Sequence, residues 1–263
     1  MAKSTKNVVS LDRLFAQAPA ATDLWPPFEH VVDRARRRPP ANPEGTAHSY
    51  AQWVYHLYNG QRPPGHAPDE EEESRVSMYL GRWGEAYVDR FRSWLNKRFP
   101  SSMSGGWRPL YLATKDNRNR IFRASRLLVH GQPLRCRPDV VLKHEHTNDI
   151  VVVEIKVTGV PLPKIPPQGW QNLRAQLWCY AWIDEWISAK NVLLVGQFWP
   201  RPQFRAGAPF TFLPIYPRWR RQNRDFEREC SELFRLYGGT IADVGKVAPD
   251  SGSQGDAPQA ARA

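Results

Sequence analysis

The segment that most restricts what this chain can fold into is Ile150 to Val157, read Ile-Val-Val-Val-Glu-Ile-Lys-Val. A short, β-branched apolar run without polar alternation is the pattern of a strand covered on both faces. Glu154 and Lys156 stand inside it, where an ionised group is costly unless it is paired or bound to a metal. A second carboxylate, Asp139, opens the apolar step Asp139-Val140-Val141-Leu142, and the polar turn His144 to Asp149 separates the two runs. With that turn centred between His146 and Thr147, an antiparallel hairpin sets Asp139 opposite Glu154 and Val140 opposite Val153. Opposed residues share a face, and so do residues two apart. Asp139, Glu154 and Lys156 are therefore expected to gather at one end of the hairpin.

Two carboxylates and an ammonium suit divalent-metal chemistry. Mg²⁺ takes oxygen ligands, typically one or two carboxylates with waters and substrate phosphate completing the octahedron. Such a metal polarises a scissile phosphate and lowers the pKa of a water. A neighbouring lysine can orient or deprotonate that water, or stabilise the charge that builds on phosphorus. The competing reading is a structural salt bridge between Lys156 and Glu154 or Asp139 in a buried sheet.

Around this hairpin the pattern resolves into further elements. Prolines break the first 75 residues into pieces: a helical pattern over Phe28 to Arg38 with Val31, Val32 and Ala35 on its apolar side, then a short helix over Tyr50 to Tyr58. The Trp- and Tyr-rich character of this stretch (Trp25, Tyr50, Trp53, Tyr55, Tyr58) fits either a docking surface for a partner or second copy, or domain core. Asp69-Glu70-Glu71-Glu72-Glu73 leads into a long helical pattern from about Arg75 to Phe99, with Val76, Leu80, Trp83, Tyr87, Phe91, Trp94 and Leu95 at three- and four-residue spacings. The acidic run complements the helix dipole at its start. Strands are expected over Arg120 to His130, Leu134 to Leu142 and Ile150 to Val157, then a helix over Gln168 to Ala189. Asn191 to Trp199 and Phe210 to Tyr216 read as strands, and Arg218 to Tyr237 as a closing helix. The order helix, three strands, helix, strand predicts an α/β sandwich with a mixed sheet. Three units follow: an N-terminal helical extension over 1–74, a principal domain over 75–244, and a disordered tail over 245–263 that has little to bury.

Arg137-Pro138-Asp139, fourteen intervening residues and then Glu154-Ile155-Lys156 resemble the signature of the PD-(D/E)xK nuclease superfamily. In the following helix, Gln176 and Tyr180 are similar to the Gln-x-x-x-Tyr motif of its RecB-like branch. Upstream, Gly81-Arg82-Trp83-Gly84-Glu85 places a carboxylate in the long helix, where many members carry an acidic residue. The resemblance covers Val76 to Trp199 and implies the restriction-endonuclease-like αβββαβ core. It implies that Asp139 and Glu154 ligate Mg²⁺ or Mn²⁺, with Ile155 lending its backbone carbonyl and Lys156 serving the attacking water. Glu85 would hold the metal or its water, and Gln176 and Tyr180 would position the site or the nucleic-acid backbone. The cysteines number three, Cys136, Cys179 and Cys230, so the four-thiolate iron–sulfur cluster of some RecB-like relatives is not expected. No Gly-x-x-x-x-Gly-Lys-Ser/Thr loop is present, so any motor or sensor would be a separate protein. For Glu85 the plain alternative is an exposed helix residue paired with Arg82 or Arg92; for Tyr180 it is core packing. His144 and His146 read as a charged hairpin tip rather than a second metal site.

Charge completes the reading. Lys and Arg number 37 against 26 Asp and Glu, a formal +11 that favours a polyanionic partner. From Thr114 to Arg137 seven cations (Lys115, Arg118, Arg120, Arg123, Arg126, Arg135, Arg137) face one acid, Asp116, immediately before Asp139. A second cluster, Arg218, Arg220, Arg221 and Arg224 with Trp219 among them, opens the expected last helix. Arginine forks bind phosphate well, and an interleaved aromatic can stack on a base. No stretch approaches the apolar length of a membrane span, and Met1 to Asp12 lacks the apolar region of a secretory signal, so a cytoplasmic protein is expected. The expectation is a metal-dependent nuclease acting on DNA, in prokaryotic antiviral defence or in DNA repair and recombination. Two alternatives stay open: a catalytically silent nucleic-acid-binding or assembly module that keeps the fold, and an interaction protein whose acid-x-Lys strand is coincidental.

Overall fold

The computed structural model describes residues 26–60, 69–96, 106–158, 169–189, 191–200, 219–220 and 224–243. Three helices come first: α1 (Phe28–Arg37), α2 (Ala47–Asn59) and α3 (Asp69–Asn96). Thr46 caps α2 by accepting from the Ser49 amide, and Gly60, at φ 68, ends it in the left-handed conformation that glycine adopts without strain. Strands β1 (Trp107–Leu112), β2 (Phe122–Val129), β3 (Gln132–Cys136), β4 (Val140–His144) and β5 (Ile150–Thr158) follow. Then come α4 (Gln171–Tyr180), a 3₁₀ turn (Asp184–Trp186), β6 (Val192–Pro200), β7 (Trp219–Arg220), α5 (Arg224–Leu236) and β8 (Gly239–Ile241).

The protein is a mixed α/β molecule with two sheets. The larger runs β1-β4-β5-β6-β7; β1, β4 and β5 are antiparallel in turn, β5 and β6 are parallel, and the short β7 returns antiparallel on β6. A parallel pair needs a crossover, and α4 supplies it. Every described residue of β5 is buried, as expected of a strand enclosed on both faces. Gly196 on β6 meets Leu173 of α4, whereas the adjacent Gln197 accepts from the Tyr87 hydroxyl of α3 at 3.0 Å. Neighbouring strand residues point to opposite faces, so α4 covers one face and α3 the other. The smaller antiparallel sheet, β3-β2-β8, stands beside it.

Several sequence expectations change here. The run Leu134 to Leu142 is not one strand. It divides at Arg137-Pro138 into β3 and β4, which belong to different sheets, because proline breaks the ladder and lets the chain cross. The additional strand β1 lies at the sheet edge, the place where its Pro109 is tolerated, and its register with β4 shifts between Pro109 and Tyr111. The crossover helix stops at Tyr180 instead of Ala189, and of the second arginine cluster Arg220 lies with Trp219 in a short strand while Arg224 opens α5; Arg218 and Arg221 lie outside the described residues. Trp83, expected on the apolar side of α3, is 45% exposed with the Arg82 guanidinium 5.3 Å from its ring centre. The N-terminal aromatics are core: Tyr50 and Tyr55 are buried, and Trp53 and Tyr58 pack against the same cluster. Tyr50 donates to the Cys230 carbonyl at 2.7 Å, tying α2 to α5. The expected strand Phe210 to Tyr216, the tail and Trp25 lie outside the described residues. No helix among the described residues is long and apolar enough to cross a membrane.

Candidate active site

The predicted hairpin register is present. Val140 pairs with Val153 and Leu142 with Val151, and the Asp139 amide donates to the Val153 carbonyl at 3.2 Å. Asp139, Glu154 and Lys156 line one cavity of about 290 Å³ together with Gln176 and Tyr180 of α4. Glu154 is 4% exposed and Lys156 7%, and the Lys156 ammonium donates to Glu154 Oε1 at 2.8 Å. Asp139 Oδ2 accepts the Ile155 amide at 2.6 Å, which fixes the carboxylate against the strand that carries the other two groups.

The α4 pair is bonded to itself and to the loop before Asp139. Gln176 Nε2 donates to the Tyr180 hydroxyl at 2.6 Å, and that hydroxyl donates to the Arg137 carbonyl at 2.8 Å. Burial pushes the Tyr180 phenol well above its ordinary pKa, and the charges of Glu154, Cys136 and Asp139 push it further; the Gln176 bond opposes them. Tyr180 therefore stays an O–H donor and holds the Arg137-Pro138-Asp139 segment in place. Burial also pushes Tyr111 up to about 12 and Tyr87 well above its usual value, with Asp139 the next cause in each. Asp139 thus sits in the field of three neutral phenols.

Among the described residues no group of three or more His, Cys, Asp or Glu side chains is gathered as a metal would need for an all-protein cage. That donor set does not suit zinc. It does suit Mg²⁺, which needs only one or two carboxylates and takes water and phosphate for the rest. Asp139, Glu154 and the Ile155 carbonyl are the groups that would hold it.

Glu85 does not join this cavity. It is exposed, because α3 buries Val76, Leu80, Tyr87, Val88, Phe91 and Leu95 and turns Glu85 outward; Ser77 is the polar α3 residue that lines the site. Of the seven cations, Arg118, Arg135 and Arg137 line the cavity. Lys115, Arg120 and Arg123 are exposed outside it. The Arg120 guanidinium lies 4.6 Å from the Phe122 ring centre, and that of Arg126 lies 4.1 Å from the Trp182 ring centre. Those two serve packing as well as charge.

The largest omission from the sequence reading is a wall of the cavity. Glu44, Thr46, Ala47, His48 and Ser49, at the start of α2, line it. This arm is stitched to the small sheet by a parallel bridge between Thr46 and Arg135 and by the Arg135 amide donating to the Gly45 carbonyl at 3.0 Å. The Tyr237 hydroxyl closes it from behind, accepting from the Glu44 amide at 2.9 Å and donating to the Glu44 carbonyl at 3.0 Å. Thr46-Ala47-His48-Ser49 carried a readable helix-cap signal but nothing to say that the cap faces the hairpin.

No family model matches the chain, and no match to a curated protein was found. A solved structure described as the crystal structure of SSO0001 aligns at 13% identity over 79% of this chain and 85% of that one; its TM-score of 0.24 is too low to bear on fold or function.

Proposed function

We propose that this protein is a divalent-metal-dependent nuclease that hydrolyses phosphodiester bonds, in DNA before RNA, on a core of the PD-(D/E)xK, RecB-like kind. The observation that carries the reading is the convergence of Asp139, Glu154 and Lys156 on one cavity, faced by the bonded pair Gln176 and Tyr180 and rimmed by Arg118, Arg135 and Arg137. Setting aside the β2–β3 hairpin, the order α3, β1, β4, β5, α4, β6 also follows the αβββαβ plan. A bound Mg²⁺ or Mn²⁺ would polarise the phosphoryl oxygen and acidify a water. Asp139 and Glu154 would supply the negative charge that holds the cation. Lys156 would direct its ammonium at the attacking water and the charge developing on phosphorus. The rim arginines grip the flanking phosphates, and Tyr180 keeps the Asp139 loop from moving. A nuclease of this kind fits defence against foreign DNA or repair.

One observation favours a second reading, a silent nucleic-acid-binding module. Lys156 already donates to Glu154 Oε1 at 2.8 Å, as in a purely structural pair. Incubation with Mg²⁺ or Mn²⁺ and a panel of linear, circular, single- and double-stranded DNAs plus RNA separates the two. Metal-dependent cleavage lost in Lys156→Ala supports the nuclease; tight, salt-sensitive binding without any cleavage supports the module.

A further inference from the structure

A second basic surface lies away from the cavity. His30, Arg34, Arg37 and Arg38 of the α1 region and His56 near the end of α2 line an open hollow, with Asp33 as its acid. Asp33 is 3.6 Å from Arg36. Arg34 donates to the Leu57 and Tyr58 carbonyls and so closes the end of α2, which fixes the two helices relative to each other. Arg37 and Arg38 are exposed. The hollow exists because α1 buries Val31, Val32 and Ala35 and so turns its basic side outward.

The two sites are connected by geometry. His48 lines the cavity and His56 lines the hollow. Steps of four residues drift about 40° around a helix, so His48, Gln52 and His56 form a ridge inclined to the axis that winds about 80° around α2. Eight residues at about 1.5 Å each put the two histidines about 12 Å apart along the axis. Successive phosphates advance about 3.4 Å per strand along a duplex. That separation corresponds to about three or four nucleotides.

We infer that the α1–α2 hollow is a secondary site for the phosphate backbone of a nucleic acid whose reacting nucleotide lies in the cavity, with the strand running along the His48–Gln52–His56 ridge of α2. The inference rests on the nuclease reading for its direction and adds a footprint to it: substrates long enough to reach both sites bind better than short ones. Charge decides the occupant, since three arginines and two histidines against one aspartate suit repeated phosphates and no apolar ligand.

The test is affinity against length. Single-stranded oligonucleotides of about three to about twelve nucleotides are titrated into wild-type protein and into an Arg37→Glu/Arg38→Glu variant, with chelator present so that no probe is shortened. Wild type is expected to gain about tenfold in affinity once the probe passes about four nucleotides, with a steeper salt dependence. The variant is expected to lose that gain while matching wild type on the shortest probes; His56→Ala is expected to lose part of it. Both altered arginines are exposed, and a matching thermal melt confirms that each variant is folded. Superimposable length series for wild type and variant would overturn the inference. Cleavage is assayed separately in Mg²⁺: wild type that cuts nothing yet shows the length step retires the nuclease reading and leaves the hollow standing.

Discussion

Two ion pairs, one buried and one half-buried, flank α4, and they differ in what lies beside them. Glu154 and Lys156, with side chains 6% and 9% exposed, meet on the cavity side next to Gln176 and Tyr180. Arg174 and Glu229, 13% and 21% exposed and 2.5 Å apart, join α4 to α5 on another side of the same helix. The first pair opens on a space of about 290 Å³. The space beside the second is about 10 Å³, walled by Tyr50, Val54, Tyr58 and Leu233, too small for a ligand and at the limit for one water. Removing two charges from water is expensive in both places. Only the first pair sits where a phosphate and a metal could enter and use the charges. The second joins elements: with the Arg174 guanidinium 5.6 Å from the Phe226 ring centre, it fixes how α5 lies on α4.

The strongest way to break this contrast is to remove charge from each pair in turn. Glu154→Gln and Lys156→Ala are each expected to lower cleavage by about a thousandfold, the usual scale for a group that serves proton transfer or transition-state charge. Glu154→Gln should also weaken metal binding, and Lys156→Ala much less. Cleavage at the wild-type rate by both, in preparations free of contaminating nuclease, would place the activity elsewhere.

Next in size is the other pair. Glu229→Ala leaves the Arg174 guanidinium in a largely buried position without its carboxylate, and is expected to cost about 3 kcal/mol in urea unfolding. The folded variant should cleave as wild type does. A variant of unchanged stability with impaired cleavage would reverse the roles assigned to the two pairs.

A smaller effect is expected in alkali on the cavity side. Tyr111, beside Asp139, has its phenol pushed up to about 12, mainly by burial and then by Asp139, with Arg120 and Arg137 opposing. In the unfolded chain it ionises near 10. The folded state therefore holds the proton more tightly, and this stabilisation is whole below about pH 10 and lost as pH rises towards about 12. The Tyr111 share of the urea midpoint should be flat up to about pH 10 and then fall, on top of the loss that the raised buried thiols Cys136, Cys179 and Cys230 begin at lower pH. Tyr111→Phe should flatten part of that fall; an unaltered slope would remove Tyr111 as a contributor.

What the sequence disclosed and what it concealed follow the same division. The approach of Asp139 to the strand of Glu154 was legible because a strand has a period of two and the turn between them is short; the ladder itself ends at Val140 and Val153, with Asp139 bonded to Val153 and Ile155. The division of Leu134–Leu142 was signalled by Pro138, yet a single proline does not say whether a strand ends or merely bends. Strand β1 was hidden by Pro109 and by a burial pattern with three consecutive exposed residues, Arg108 to Leu110. The arm Glu44 to Ser49 was concealed for a different reason: its place in the cavity wall depends on Thr46 bridging Arg135, a contact between residues far apart in sequence that no local pattern encodes. Glu85 lies at the limit of periodic reasoning. A heptad-like stripe assigns a helix its buried side, but it does not say which end of that side meets the hairpin.

The last and smallest expected effect concerns how closely α4 approaches the strand bearing Glu154. Gly196 pairs with Glu154 in the parallel ladder and shares its face. A Cβ at this position would come 2.4 Å from the Leu173 Cδ2 atom, so the absence of a side chain is what allows α4 to lie this near β5 and β6. Leu173 is fully buried and has little room to rotate away, so Gly196→Ala should push Leu173 and the start of α4 back by roughly 1 Å in all. Overpacking of this kind costs about 1 to 2 kcal/mol. The displacement bears on the two pairs unequally. Gln176 and Tyr180 face Glu154 across the gap that Gly196 keeps narrow, whereas Arg174 and Glu229 would move with α4 and α5 together. Gly196→Ala should therefore lower kcat about tenfold beyond what its modest loss of stability explains. A further Glu229→Ala change should then add to the stability loss without deepening the loss of kcat. If Gly196→Ala costs stability but leaves kcat intact, the spacing of α4 over Glu154 serves packing alone, and Gln176 and Tyr180 lose their assigned part in the reaction.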